Sequence, residues 1–172
     1  PRRGEAPVVS HLDFLSSDLA AKDAVWRSPL ERALAQDTAG VEDLSRTGVL
    51  DVRGELDGLD AGDAEVVRLT PERALVLCPF DEAARLRARL AGARRLVVDV
   101  SAGWAGLRVQ GETLLRRLTD LDLDALPAMG AVAHVLALVV RDDADTFRVY
   151  IPQEYGHSVA EAVIDAAQGL AG

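Results

Sequence analysis

A chain of 172 residues with 49% apolar and 27% charged side chains can bury a sizeable core, as one domain or as two small fused subdomains, which sets disorder aside for most of its length. Its 28 acidic against 19 basic side chains leave a net charge of -9, so neither nucleic acid nor an anionic membrane surface is an expected partner. Cys78 is the only cysteine, which excludes an intrachain disulfide and a multi-cysteine metal site and makes a reducing, cytoplasmic setting the expectation.

Residues 1–27 read as a partly ordered tail. PRRGEAPVVS has two arginines but no apolar run of the secretory kind, and HLDFLSSDLAAKDAVW has only a weak helical pattern. Next, Ser28-Pro29-Leu30-Glu31 places Ser at a helix N-cap, Pro at the first helical position and Glu at the third, so a short helix is expected to about Ala35. The phrase DLSRTGVLDVRG follows, with a strand at 49–52 closed by Gly54. GELDGLDAGD is too rich in Gly and Asp for a stable helix. Segments 64–69 and 74–78 then form a hairpin about the turn 70–73, stopping at Pro79, and a helix is expected at 81–91 with acids first and arginines later.

The phrase returns at 99–111 as DVSAGWAGLRVQG. It is preceded by the apolar run 96–100, which reads as a parallel-type or doubly buried strand, and it supplies a strand at 104–110. ETLLRRLT after Gly111 is a helix with Leu114, Leu115 and Leu118 on one face. A single strand is expected at 131–140, with His134 in a core or half-buried place inside it; at ten residues the stretch is far below the ~20 that a membrane helix needs. The turn 141–145 leads to a strand at 147–151, Pro152 ends it, and a helix at 154–168 closes the chain, with Gly169 at its C-cap. Val159, Ala162, Val163 and Ala166 form its inward face.

Both halves therefore run strand, Gly, hairpin, Pro, helix, with Cys78-Pro79 and Ile151-Pro152 as equivalent stops. This implies an α+β fold of pseudo-duplicated strand-hairpin-helix units, ferredoxin-like, with a first subdomain at 28–92 and a second at 93–172 packed as one body.

No reactive centre is legible. GxxxxGK[ST], GxGxxG after a strand, GxSxG and HExxH are all absent, and no catalytic or metal-ligating residue is assigned. The histidines, His11, His134 and His157, lack metal-ligand spacing, and His157 is expected to face solvent. Asp43/Ser45 and Asp99/Ser101, at matching places in the repeated phrase, read as caps of backbone amides at a tight turn. Arg85, Arg87, Arg89, Arg94 and Arg95 form a basic cluster in an acidic chain. Trp26 and Trp104, together with Arg85 and Arg89, are the candidate partner contacts; core packing competes for Trp104.

The order VVDVSAGWAGLRVQGETLLRRL, a strand after MGAVAH, and VVRDDADTFRVYIPQEYGHSVAEAVIDAA resembles the gamma subunit of heterotetrameric sarcosine oxidase, within the aminomethyltransferase-like, folate-binding superfamily. SPL at 28–30 and LTPERALVL at 69–77 resemble its early helix and hairpin turn. The resemblance implies an aminomethyltransferase N-domain-like fold and a non-catalytic accessory subunit of a flavoenzyme of one-carbon metabolism. Larger flavoprotein subunits would be its partners and would carry FAD, FMN and NAD, with no cofactor in this chain. A free-standing folate-binding or aminomethyltransferase-like one-carbon protein, with tetrahydrofolate as its ligand, is the alternative.

Overall fold

The computed structural model describes residues 26–35 and 40–171. The expectations for residues 1–25, including His11, lie outside them. Along the chain run α1 (Glu31–Leu34), β1 (Glu42–Asp43), β2 (Thr47–Gly54), β3 (Glu65–Thr70), β4 (Arg73–Pro79), α2 (Ala83–Leu90), β5 (Arg95–Asp99) and β6 (Trp104–Gln110). These are followed by α3 (Glu112–Arg116), β7 (Ala128–Val132), β8 (Val135–Arg141), β9 (Thr146–Pro152) and α4 (Gly156–Ala171).

The strands form two antiparallel sheets, ordered β3-β4-β2-β5 and β1-β6-β9-β8-β7. Alternation along each strand assigns its two faces. Val49, Leu75 and Leu77 of the first sheet meet Leu138, Val140 and Tyr150 of the second in a core between the sheets. On the outer face of the first sheet, Leu50, Val52, Val76 and Cys78 pack with Ala83, Leu86 and Leu90 of α2, whose spacing keeps them on one helical face. The outer face of the second sheet is covered by α1, α3 and α4, around Leu107, Phe147, Val149, Ile151, Val159 and Val163. The architecture is thus four layers, helix, sheet, sheet, helices, and it is the duplicated α+β fold that the repeated phrase implies.

The duplication also shows in the pairing. In the first sheet β2 lies between β4 and β5, and in the second β6 lies between β9 and β1. Leu50 is opposite Asp99 where Leu107 is opposite Asp43. Each half of the sequence therefore lends one strand to the other's sheet: β1, from the first half, lies in the second sheet, and β5, from the second half, in the first. Both hairpins end at their proline, Pro79 or Pro152, and continue through a single 3-10 turn into a helix.

Several local expectations are corrected. The run 96–100 is neither parallel nor doubly buried: β5 is an antiparallel edge strand, with Leu96 59% and Val98 40% exposed. Uniform apolarity conceals this, because only Val97 reaches the cluster under α2. The expected strand 131–140 is the hairpin β7–β8, turned at Ala133 and His134, whose φ values of 47 and 67 are the two left-handed positions that a type I′ turn requires. No Asn-Gly marks this turn, so it was invisible to pattern, and His134 is exposed at its tip and not in a core. Helix α2 begins at Ala83 after the 3-10 turn Phe80–Glu82. Gly169 is inside α4, which continues to Ala171. At the other end, Ser28 Oγ accepts the Leu30 amide at 3.0 Å as its capping position suggests, though regular helix is limited to the one turn of α1.

Candidate functional site

The two Asp-x-Ser turns stand where the chain passes between sheets. In each, the aspartate accepts the amide of the serine two residues on: Asp43 Oδ1 from Ser45 at 2.8 Å, Asp99 Oδ1 from Ser101 at 3.0 Å. Each serine hydroxyl then accepts an amide of the opposite half. Ser101 Oγ takes Val49 N–H at 2.9 Å and Ser45 Oγ takes Gly106 N–H at 3.3 Å. Two main-chain bonds complete the pattern: Leu44 donates to the Gly106 carbonyl at 2.8 Å, and Val100 to the Val49 carbonyl at 2.9 Å. Both serines are buried. These residues therefore cap backbone, as their spacing suggests, and also tie the two halves together.

Two charged groups within the strands escaped sequence reading. Asp51, 3% exposed on the inner face of β2, accepts Arg53 Nε and Nη2 at 3.0 and 2.7 Å and Arg73 Nε and Nη2 at 3.0 and 3.1 Å. Burial works against its charge, but the Arg73 and Arg53 guanidiniums outweigh burial and hold its carboxyl below the ordinary 3.8. Arg148 on β9 crosses to the other sheet, donating to Glu65 at 2.7 Å while it also holds Asp142 at 2.7 Å. Burial opposes its charge too, yet Glu65, Tyr150 and Asp142 raise its pKa above that of a free arginine. The legible signal was a lone charge at an alternating apolar position, as in VLDVR and TFRVY.

The remaining space around Arg148 is a cleft of about 250 Å³ lined by Arg46, Arg108, Cys78 and Tyr150 among others. Its arginines meet acids: Arg108 bonds Glu42, and Arg46 lies 3.7 Å from Asp81. Burial first, then Glu82 and Asp99, push the Cys78 thiol above its usual pKa, which makes it a poor nucleophile. His157 is half-exposed, with Nε2 3.3 Å from Glu161. Among the described residues no three His, Cys, Asp or Glu side chains converge as metal ligands.

The four candidate contact residues do not form one patch. Arg85 and Arg89, one turn apart on the exposed side of α2, line a cleft of about 350 Å³ with Gly62, Asp63 and Glu82. Trp26 is 50% exposed, and the Arg46 guanidinium lies 5.7 Å from its ring centre and 5.9 Å from that of Phe80, a cation–π arrangement. Trp26 also borders a cleft of about 520 Å³ with Glu31 and Asp43. Trp104 is half-buried against the core between the sheets. No described helix is long and apolar enough to cross a membrane.

No protein-family model matches the chain, and no curated protein matches it in sequence. Its fold is shared with solved structures. A chain of the heterotetrameric sarcosine oxidase from Corynebacterium sp. U-96, solved in complex with pyrrole 2-carboxylate, is similar at a TM-score of 0.72 with 18% identity, over 86% of this chain and 97% of that one. The glycine cleavage system aminomethyltransferase T from Bartonella henselae is similar at 0.51 with 18% identity, over 89% of this chain and 56% of that one. The chain thus spans just over half the length of the aminomethyltransferase. At such identities the likeness establishes a common fold.

Proposed function

We propose that this chain is a gamma-type accessory subunit of a heteromeric flavoenzyme of the sarcosine oxidase kind, acting in one-carbon metabolism. The observation that carries the reading is the likeness over 97% of a chain of a heterotetrameric sarcosine oxidase. FAD, FMN and NAD would be held by larger partner subunits, and Trp26, Trp104, Arg85 and Arg89 are assigned to contact with them. Co-expression with the larger subunits of a heterotetrameric sarcosine oxidase tests the proposal. A stable complex that oxidises sarcosine supports it; a chain that stays apart from those subunits at micromolar concentration refutes it.

A second reading, a free-standing tetrahydrofolate-binding protein, has one favourable feature. The cleft beside Trp26 offers an aromatic face together with Glu31 and Asp43, acceptors suited to the N–H groups of a reduced pterin. Titration with tetrahydrofolate, followed by tryptophan fluorescence in the parent and in Trp26→Ala, decides it. Saturable quenching lost in the variant supports this reading, and no response at millimolar ligand eliminates it.

A further inference from the structure

The cleft around Arg148 opens between the sheets beside the first Asp-x-Ser turn, with β4 on one side and β6 and β9 on the other. In a chain of net charge -9, Arg46, Arg108 and Arg148 line it and no described aspartate or glutamate does. Arg108 and Arg148 are directly opposite each other on β6 and β9, a like-charge pair that antiparallel pairing disfavours. Asp142 lies 3.7 and 2.7 Å from their Nε atoms, and Glu42 and Glu65 each hold one terminal nitrogen, so these acids compensate from outside the cleft. The compensation is incomplete. Arg108 Nη2 meets no acceptor among the described residues. Arg46 donates no hydrogen bond to any of them: Asp81 is 3.7 Å away, and the rings of Trp26 and Phe80 position the guanidinium without neutralising it. Tyr150 adds a buried donor. It is 2% exposed, and its hydroxyl accepts from Arg148 Nη1 at 3.5 Å but gives its own proton to no described residue. A buried hydroxyl of this kind requires an acceptor.

We infer that this cleft binds a small oxyanion, a phosphate or a carboxylate group, which accepts from the Arg46, Arg108 and Arg148 guanidiniums and from the Tyr150 hydroxyl. Its volume of about 250 Å³ admits such a group with part of its hydration, since a water occupies ~30 Å³. The Cys78 thiol on the same wall stays neutral, because burial raises its pKa, and so adds no opposing charge. The pseudo-twofold shows what opens the space. Thr47 is opposite Pro79 as Trp104 is opposite Pro152, so one half has an indole packed on the core between the sheets where the other has a short hydroxyl. The preceding residues differ in the same sense: Arg46 stands where the other half has Gly103. The duplicated fold is thus filled at one crossing and left open and cationic at the other. This inference rests on the cleft alone and is independent of the proposed function.

NMR titration of the full chain with sodium phosphate and, separately, with sodium acetate tests it, each against sodium chloride at equal ionic strength. Saturable shifts are expected at the amides of Leu44, Arg46 and Thr47, with a dissociation constant of about 1 mM. The anion that saturates at the lower concentration tells whether the natural ligand carries a phosphate or a carboxylate. Arg46→Gln and Tyr150→Phe, which removes only the hydroxyl, are each expected to weaken binding about tenfold. Arg85→Gln, on the outer face of α2, is expected to leave it unchanged. Circular dichroism confirms that the variants fold. Failure of both anions to saturate beyond the chloride control, unchanged affinity in Arg46→Gln and Tyr150→Phe, or an equal loss in Arg85→Gln would each overturn the inference.

Discussion

Replacing Asp51 by asparagine removes a buried charge without changing its shape. The carboxylate accepts four N–H groups from Arg53 and Arg73, whose side chains are themselves 56% and 44% exposed. A hydrogen bond to a charged group contributes about 1.5–3 kcal/mol, but guanidiniums this exposed recover much of their hydration when the partner is lost. The net cost of Asp51→Asn is therefore about 2 kcal/mol at neutral pH, which in a chain of this size lowers the melting temperature by about 4–8 °C. The pH dependence follows from the lowered pKa. The ionised form prevails more strongly in the folded state than in the unfolded one, so its contribution is complete above the ordinary value of 3.8 and is lost as pH falls through the still lower folded value. Below that value Asp51 is protonated and resembles asparagine, and the two proteins converge in stability. Urea denaturation of both, followed by circular dichroism from pH 7 downward, measures the difference. A gap under about 0.5 kcal/mol at pH 7, or one that does not narrow below the ordinary carboxylate range, refutes the reasoning.

Ser101→Ala leaves the buried Val49 amide without its acceptor and is expected to cost about 1–2 kcal/mol; Ser45→Ala, which loses the longer 3.3 Å bond to Gly106, costs less. Equal urea midpoints for the two variants would contradict that ordering. Cys78, 6% exposed and with a raised pKa, is expected to resist a thiol reagent in the native protein at pH 8 and to react once the chain is unfolded in urea; rapid native labelling contradicts this.

What the sequence disclosed was whatever depends on neighbours along the chain. Pro79 and Pro152 stop strands because proline has no amide to give, and both do so here. The Asp-x-Ser turns are held by bonds two residues long, so their spacing alone named them. Concealed were the features decided by distant partners. Leu96, Val97 and Val98 look equally buried as letters, and only their place at the sheet edge separates them. Asp51 looked like one acid among 28 until two arginines, one of them 22 residues away, closed on it. The contact candidates were chosen by residue type, and the structure distributes them over three places: the outer face of α2, the surface beside Arg46, and the rim of the core between the sheets.

The strand exchange explains why the phrase is repeated. The chain leaves the second sheet at β1 and enters the first at β2, and later leaves the first at β5 and enters the second at β6. Each Asp-x-Ser turn is one of these two crossings, so the same problem of reversing the backbone and joining a new strand arises twice. Aspartate solves the local part by holding the turn's own amide. Serine solves the distant part by accepting from the strand that belongs to the other crossing. Near the pseudo-twofold axis the copies have diverged. Val49 fills the core between the sheets, whereas at the matching position a Cβ on Gly106 would fall 2.8 Å from the Leu44 carbonyl oxygen. Backbone cannot move aside as a flexible side chain can, so glycine is held there by the closeness of the crossing chain.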